Sequence, residues 1–374
     1  MKTLYLHIGL PKTGTSAIQR FLNDNSEVLE RRGYAYPIMP VEYKNHASQR
    51  RNAHFLVEQE YDENGKPDME ATLKKRQLCM GVVKECFKNA DNVILTDESL
   101  WNQLGGDGIE ILEYMADFCS ENDVLLKLVV YLREQSEYML SLWRQKVRAG
   151  RVLPPWSEFA RKSHSNFNFH KQLKRLMQYL EKENMIVKIY DRESFSGGNI
   201  FSDFLGAVGL EFTDEYIIEK ELVNLSLSDN QTEIKRILNT LQGENAGVNS
   251  EVSRLLEKPL IVLSQNPEMN RNPYSLLTKG DTEYISEKYR ESNERVRQEF
   301  FPDREALFDL NKKNAKPEWS KDNPDMIDDI ILYFGQLAVE QQKQIDRLNE
   351  EVDRLKNQNK IMAAARKLKH KILK

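Results

Sequence analysis

Cysteine is scarce. The 374-residue chain has three, Cys79, Cys86 and Cys119. An odd number without metal-ligand spacing excludes a disulfide framework and a cysteine-based zinc knuckle. Inert thiols in a reducing, cytoplasmic setting are the expectation. Long apolar runs are missing as well: none approaches the ~20 residues a membrane-spanning helix needs. Met1-Lys2-Thr3 leads straight into a strand-like run, so no signal peptide is expected. Neither sign of charge dominates. With 54 basic and 58 acidic residues the formal net charge is −4, which excludes the bulk basic footprint of a nucleic-acid binder. No strand-helix unit repeats beyond Gly198. The length is enough for one large α/β domain plus an appendage, with a sizeable buried core.

The most informative stretch is His7-Ile8-Gly9-Leu10-Pro11-Lys12-Thr13-Gly14-Thr15-Ser16. Thr3 to Ile8 before it is short and apolar, with the bias of a buried strand. Ala17-Ile18-Gln19-Arg20-Phe21-Leu22 after it has apolar residues at helical spacing. The stretch is therefore a strand, a glycine-bearing turn and a helix start. Backbone N–H groups at a helix N-terminus lack intrahelical partners and carry the positive end of the dipole, so they bind phosphate. Gly9 and Gly14 permit close backbone approach, Thr13, Thr15 and Ser16 offer hydroxyls, and Lys12 adds a charge on the turn. The loop of P-loop kinases and ATPases places lysine directly after its second glycine. Here Thr15 follows Gly14 and the lysine comes earlier.

In chain order, a helix is expected from about Ser16 to Arg32, ending at Gly33. A polar stretch containing His46 and His54 follows, then a helix over Leu73 to Phe87. Asn92 to Thr96 reads as a buried strand that ends in Asp97-Glu98-Ser99. A helix to about Ser120 precedes the strand Leu125–Leu132, which runs into Arg133 and a helix through Ser141 to Gly150. After a helix from about Asn168 to Glu183, Ile186–Tyr190 is the next strand. Strands alternating with helices predict a parallel sheet with helices on both faces, a P-loop-like three-layer α/β fold. Beyond Gly198 the pattern is helical, over Phe201–Val208, Ser228–Leu241 and Thr282–Phe300.

Residues 1–310 are thus expected as the α/β domain and 311–325, polar with two prolines, as a linker. Residues 326–374 follow as a C-terminal coiled-coil helix. Ile331, Ala338, Ile345, Val352 and Asn359 fall at a positions, and Ile327, Phe334, Gln341, Leu348, Leu355 and Met362 at d positions. Branched residues at a, leucine at d and one Asn at a favour a parallel two-stranded coil, hence a homodimer. A helix folded back on its own domain is the competing expectation. The basic end, with Arg366, Lys367, Lys369, Lys371 and Lys374, carries the expectation of a weak peripheral contact with an anionic membrane surface, beside that of a solvated helix end.

Arg133 stands at the C-terminal end of a strand, where open α/β sheets bind ligands. Ser141 lies eight residues on, two turns along the next helix. The order Pro11-Lys12-Thr13-Gly14-Thr15-Ser16 resembles the 5′-phosphosulfate loop of sulfotransferases that use 3′-phosphoadenosine-5′-phosphosulfate (PAPS). The stretch Tyr131 to Ser141, an Arg after a strand and a Ser eight residues later, resembles their 3′-phosphate element. Val187 to Arg192 and Asn224-Leu225-Ser226-Leu227-Ser228 are similar, more weakly, to bacterial members that act on carbohydrates. The resemblance covers about Lys2 to Leu310.

That resemblance implies a PAPS-dependent sulfotransferase acting on a hydroxyl of a glycan or glycolipid, without a metal. It implies that Lys12, Thr13, Gly14, Thr15 and Ser16 hold the 5′-phosphate and that Arg133 and Ser141 hold the 3′-phosphate. Lys12 would stabilise the departing oxygen. Members of the family use a His or, in many carbohydrate enzymes, a Glu as base. Glu98, at the end of the strand before the 3′-phosphate strand, is the candidate, with His46 as the other base or a substrate contact. Glu98 as a helix-start residue stays open. So do two other functions: a P-loop nucleotide kinase, and a non-catalytic nucleotide-fold protein that assembles through its coil.

Overall fold

The structure is a computed structural model that describes residues 1–43, 49–162, 167–218, 226–242, 250–269, 271, 273–310 and 316–372, with side chains of the final helix through Met362. The elements run β1 (Lys2–His7), α1 (Thr15–Asp24), α2 (Ser26–Arg31), β2 (Tyr34–Ala35), α3 (Met69–Cys86), β3 (Asn92–Thr96), α4 (Ser99–Gly105), α5 (Glu110–Glu121), β4 (Val124–Leu132) and α6 (Gln135–Arg148). Then come α7 (Trp156–Lys162), α8 (Phe169–Leu176), β5 (Met185–Ile189), α9 (Ile200–Ala207), α10 (Asp229–Leu238), α11 (Glu251–Ser264), α12 (Lys279–Phe300) and α13 (Met326–Ile372).

The strands form one parallel sheet in the order β2-β3-β1-β4-β5. The α/β class with a central parallel sheet flanked by helices is therefore as the sequence predicts. β1 is central because its apolar run can be buried on both faces. Tyr5, Ile94, Val129 and Tyr131 point to one face, against Ile18, Phe21 and Leu22 of α1 and Phe204 and Leu205 of α9. Leu4, Leu6, Val93, Leu95 and Leu128 alternate to the other face and are fully buried. The register pairs Leu6 with Leu95 and Leu128, so the C-terminal ends of β1, β3 and β4 open on one edge. The strand order reverses at β1, the place where such sheets bind ligands.

Two local differences from the sequence reading have plain causes. The first expected helix is broken into α1 and α2 at Asn25. Its side chain donates to the carbonyls of Phe21 (2.8 Å) and Ile217 (2.9 Å) and accepts from Ile217 N–H (2.7 Å), so distant backbone bonds replace helix propagation. β2 is an edge strand of two residues, too short for any periodicity.

The contacts gather into two compact units. The first comprises Met1–Leu142, Ala160–Leu222 and Lys279–Asn314 and holds the sheet. The second comprises Trp143–Phe159, Val223–Thr278 and Ala315–Lys374. Its apolar core is Leu227, Ile234, Leu260, Leu263, Met326 and Tyr333. Beside that core α10 buries polar groups: Asp229, Asn230, Gln231, Thr232, Glu233 and Lys235 are each at most 4% exposed. The described part of the expected linker, 316–325, is bonded into this unit. Trp319 Nε1 and Asn323 Nδ2 donate to Asn230 Oδ1 at 2.7 and 2.9 Å.

Candidate functional site

The loop after β1 keeps pairing with β4 before it turns. Tyr131 N–H donates to the Gly9 carbonyl at 2.8 Å and Leu10 N–H to the Tyr131 carbonyl at 3.3 Å. The buried Thr13 hydroxyl then donates to the Leu10 carbonyl at 2.6 Å and closes the turn. Lys12 and Gly14 both adopt left-handed backbone, φ 67° and 77°. Gly14 is the N-cap of α1 and has no side chain with which to cap it. The first N–H groups of that helix thus stay available to an anion. A Cβ on Gly9 would lie 3.3 Å from the Glu98 backbone, and one on Gly14 would lie 3.4 Å from the Tyr190 ring. Gly9 thus lets the end of β3 close on the loop, while Gly14 serves its left-handed backbone.

Two of those strand ends touch it. At the end of β3 the Glu98 carboxylate accepts a hydrogen bond from the Thr15 hydroxyl through Oε2. At the end of β4 Arg133 Nη1 donates to the Lys12 carbonyl at 2.9 Å. Arg133 also lies 3.5 Å from the Glu137 carboxylate, and its guanidinium stands 5.5 Å from the Tyr190 ring centroid. Glu98 reaches α6 electrostatically: burial, and then the Glu98 charge, push the Tyr138 hydroxyl up. The structure therefore brings together Lys12, Thr13, Gly14, Thr15, Glu98 and Arg133. Ser16 is exposed on the first turn of α1. Ser141 lies half-buried on α6, bonded neither to Arg133 nor to the loop. His46 lies outside the described residues.

The neighbouring carboxylates of β3 point apart. Asp97 is fully buried and accepts from Arg51 (Nε 3.1 Å, Nη2 2.7 Å), from His54 Nδ1 (2.8 Å) and from Ser99 N–H (2.6 Å). Burial alone would raise its pKa, but the bonds from His54 and Arg51 outweigh that and hold it below the usual carboxylate value. Arg51 also bonds the Ser99 hydroxyl at 2.7 Å. This buried clamp fixes the β3–α4 turn and leaves Glu98 facing the loop. Deeper still, burial lowers His7 to about 3, so it sits neutral beside the Thr96 hydroxyl at 3.0 Å.

Next to Arg133 a cleft opens between the ends of β4 and β5. Tyr190, Arg192, Arg304, Phe308 and Asp309 line it with Arg133. The strand-end rule that singles out Arg133 applies equally to Tyr190 and Arg192 after β5. Arg304 and Phe308, by contrast, reach the cleft from the segment after α12 and carry no sequence signal. Arg51 and His54 are likewise invisible without the fold. Among the described residues no group of His, Cys, Asp and Glu is placed to hold a metal ion. No helix among them is long and apolar enough to cross a membrane.

No family model matches the chain. An uncharacterized protein of Archaeoglobus fulgidus is 30% identical over 182 residues, which are 47% of this chain and 46% of that protein. The chain thus spans about half the length of the curated relative it matches. Among solved structures it is similar to a sulfotransferase from Alicyclobacillus acidocaldarius, with 15% identity and a TM-score of 0.37 over 59% of this chain and 87% of that one. It is also similar to the sulfotransferase domain from the curacin biosynthetic pathway, with 13% identity and a TM-score of 0.31 over 77% and 96%. Likeness at this level assigns no role to any residue here.

Proposed function

We propose that the chain is a sulfotransferase that moves a sulfuryl group from PAPS to a hydroxyl of a carbohydrate acceptor. One observation carries the reading. Arg133 and Glu98, from strands on either side of β1, converge on the backbone and hydroxyl of the same glycine-bearing loop. A phosphosulfate fits that loop: an uncapped helix start, a lysine on the turn, Gly9 with the Glu98 backbone against its Cβ position and Gly14 in left-handed backbone. Arg133, with Tyr190 and Arg304 across the cleft, suits a second phosphate and a nucleoside further from the loop.

The donor supplies an activated sulfur and a phosphate leaving group. The residues supply alignment and charge. The backbone of Lys12 to Ser16 holds one end so that the acceptor oxygen can approach in line. A new oxygen–sulfur bond forms as the bond from sulfur to the bridging oxygen breaks, and Lys12 stabilises the charge that gathers on that oxygen. Thr15 holds Oε2 of Glu98, and Oε1 takes the acceptor's proton.

The Thr15–Glu98 contact also favours a second reading. A loop hydroxyl beside a strand-end carboxylate is the arrangement with which P-loop enzymes hold Mg²⁺ on a nucleoside triphosphate. Thermal melts separate the two. Adenosine 3′,5′-bisphosphate without magnesium is expected to raise Tm through linkage, and ATP only weakly. Arg133→Ala should weaken the bisphosphate by about 1.5–3 kcal/mol, and nucleotides without a 3′-phosphate by less, through the lost bond to the Lys12 carbonyl alone. Stabilisation by magnesium-ATP alone would reject the sulfotransferase in favour of a kinase.

A further inference from the structure

The C-terminal helix has two faces in use for different purposes. Met326, Tyr333 and Glu340 are seven residues apart and so share one line along α13. All three engage the helix's own unit: Met326 and Tyr333 lie in its apolar core, the Tyr333 hydroxyl donates to the Leu256 carbonyl at 3.3 Å, and Lys258 meets Glu340 at 2.6 Å. In the heptad frame these are c positions. The a/d seam lies roughly 130° round the helix from them, at 100° per residue. That seam is open. Ile327 is 68% exposed, Ile331 63%, Phe334 56%, Ile345 50%, Leu348 54%, Val352 45%, Leu355 49% and Met362 54%. The two expectations for this helix, packing on its own domain or pairing in a coil, therefore use separate faces and do not compete.

We infer that this seam is covered by a second copy of the chain, in a parallel two-stranded coiled coil in register. The seam is self-complementary. It presents β-branched Ile345 and Val352 at a and Leu348 and Leu355 at d, the combination that favours two strands. Glu351 at g meets Lys356 at the following e of the partner in the parallel arrangement. Among the described residues each makes exposed ion pairs within its own helix, to Arg354 at 3.7 Å and Asp353 at 3.5 Å, which it can exchange for those across the seam. Asn359 falls at a, where it pairs with its own equivalent only if the helices are parallel and in register. A membrane surface fits less well. The apolar stripe is two positions wide, and Gln342, Asn349 and Lys356 at e and Gln344, Glu351 and Gln358 at g flank it, whereas membrane-lying helices present a broad apolar face with basic flanks.

Light scattering on the full chain tests this. The expected mass is twice the 43.7 kDa of one chain at micromolar concentration. L348K/L355K replaces two half-exposed seam residues and should halve the mass while circular dichroism stays unchanged. Leu355→Cys, in a chain whose partly exposed Cys86 is replaced by Ser, should yield a covalent dimer on mild oxidation, because identical d positions face each other only in a parallel register; Cys79 and Cys119 are buried. A monomeric full chain, a dimer that survives L348K/L355K, or a trimer would overturn the inference. So would a monomer that floats with phosphatidylserine vesicles. Failure of Leu355→Cys to cross-link in a dimer that L348K/L355K dissolves would overturn the parallel register.

Discussion

At the scale of single residues the sharpest division is between Asp97 and Glu98. Side chains alternate along a strand, so adjacent carboxylates at a strand end face opposite ways. The chain uses one as an internal brace and offers the other to the loop. Their substitutions should separate accordingly. Glu98→Gln keeps the size and most hydrogen bonding but not the basic oxygen, and is expected to lower turnover by about 10²–10⁴-fold while the Tm rise with adenosine 3′,5′-bisphosphate persists. Asp97→Asn leaves the Arg51 guanidinium short of its buried counter-charge and His54 Nδ1 short of its carboxylate acceptor, and should cost about 3–5 kcal/mol of stability. The acid side adds a second readout. A carboxyl held below its unfolded value of 3.8 contributes stability that is present above that value and lost as pH falls through the folded one. Asp97→Asn should remove that contribution. Normal turnover in Glu98→Gln would return Glu98 to the role of a helix-start residue.

At the scale of elements, what was legible is what depends on local pattern. β1, β3, β4 and β5 are short continuous apolar runs, and the loop after β1 shows itself by crowding a lysine and hydroxyls between glycines. The strand-end position of Arg133 and Glu98 followed from the same pattern. What was not legible depends on distant partners. The break at Asn25 needs Ile217, the burial of Asp97 needs Arg51 and His54, and the cleft needs Arg304. α10 is the extreme case, since hydropathy places so polar a helix on the surface. Its burial goes with internal partners for its side chains, Glu233 being held through Oε2 alone. Asn230 bonds Trp319, Asn323 and Asp329, the last through Nδ2 at 2.7 Å. Asn230→Ala leaves the buried Asn323 and the half-buried Trp319 and Asp329 each short of a partner, at about 1–3 kcal/mol for each group that water does not reach. A loss of about 3 kcal/mol in urea unfolding, followed by tryptophan fluorescence, is the expected outcome. A loss under 1 kcal/mol would mean that water reaches these groups freely.

At the scale of the whole molecule the chain alternates between its two units in six segments. A cut at one sequence position therefore cannot be assumed to remove one unit and spare the other. α13 shows the consequence, because its first turns and its later turns serve different ends. Ending the chain after Gln344 removes the seam from Ile345 onward but keeps Met326, Tyr333 and the Lys258–Glu340 pair. Compared with the monomeric L348K/L355K chain, so that dimer mass action drops out, its unfolding free energy should fall by less than about 1 kcal/mol, since exposed side chains contribute little. Ending the chain after Asp325 removes Met326 and the fully buried Tyr333 from the core of the second unit, and takes Asp329 from Asn230. Emptying two large apolar sites costs about 5–10 kcal/mol, as much as a domain's whole stability. The second unit should then lose its cooperative transition in calorimetry, although the sequence alone presents the same cut as the removal of an appendage. If the chain ending at Asp325 melts like the chain ending at Gln344, the first turns of α13 contribute no core, and the outward seam could rotate onto its own unit instead of awaiting a second copy.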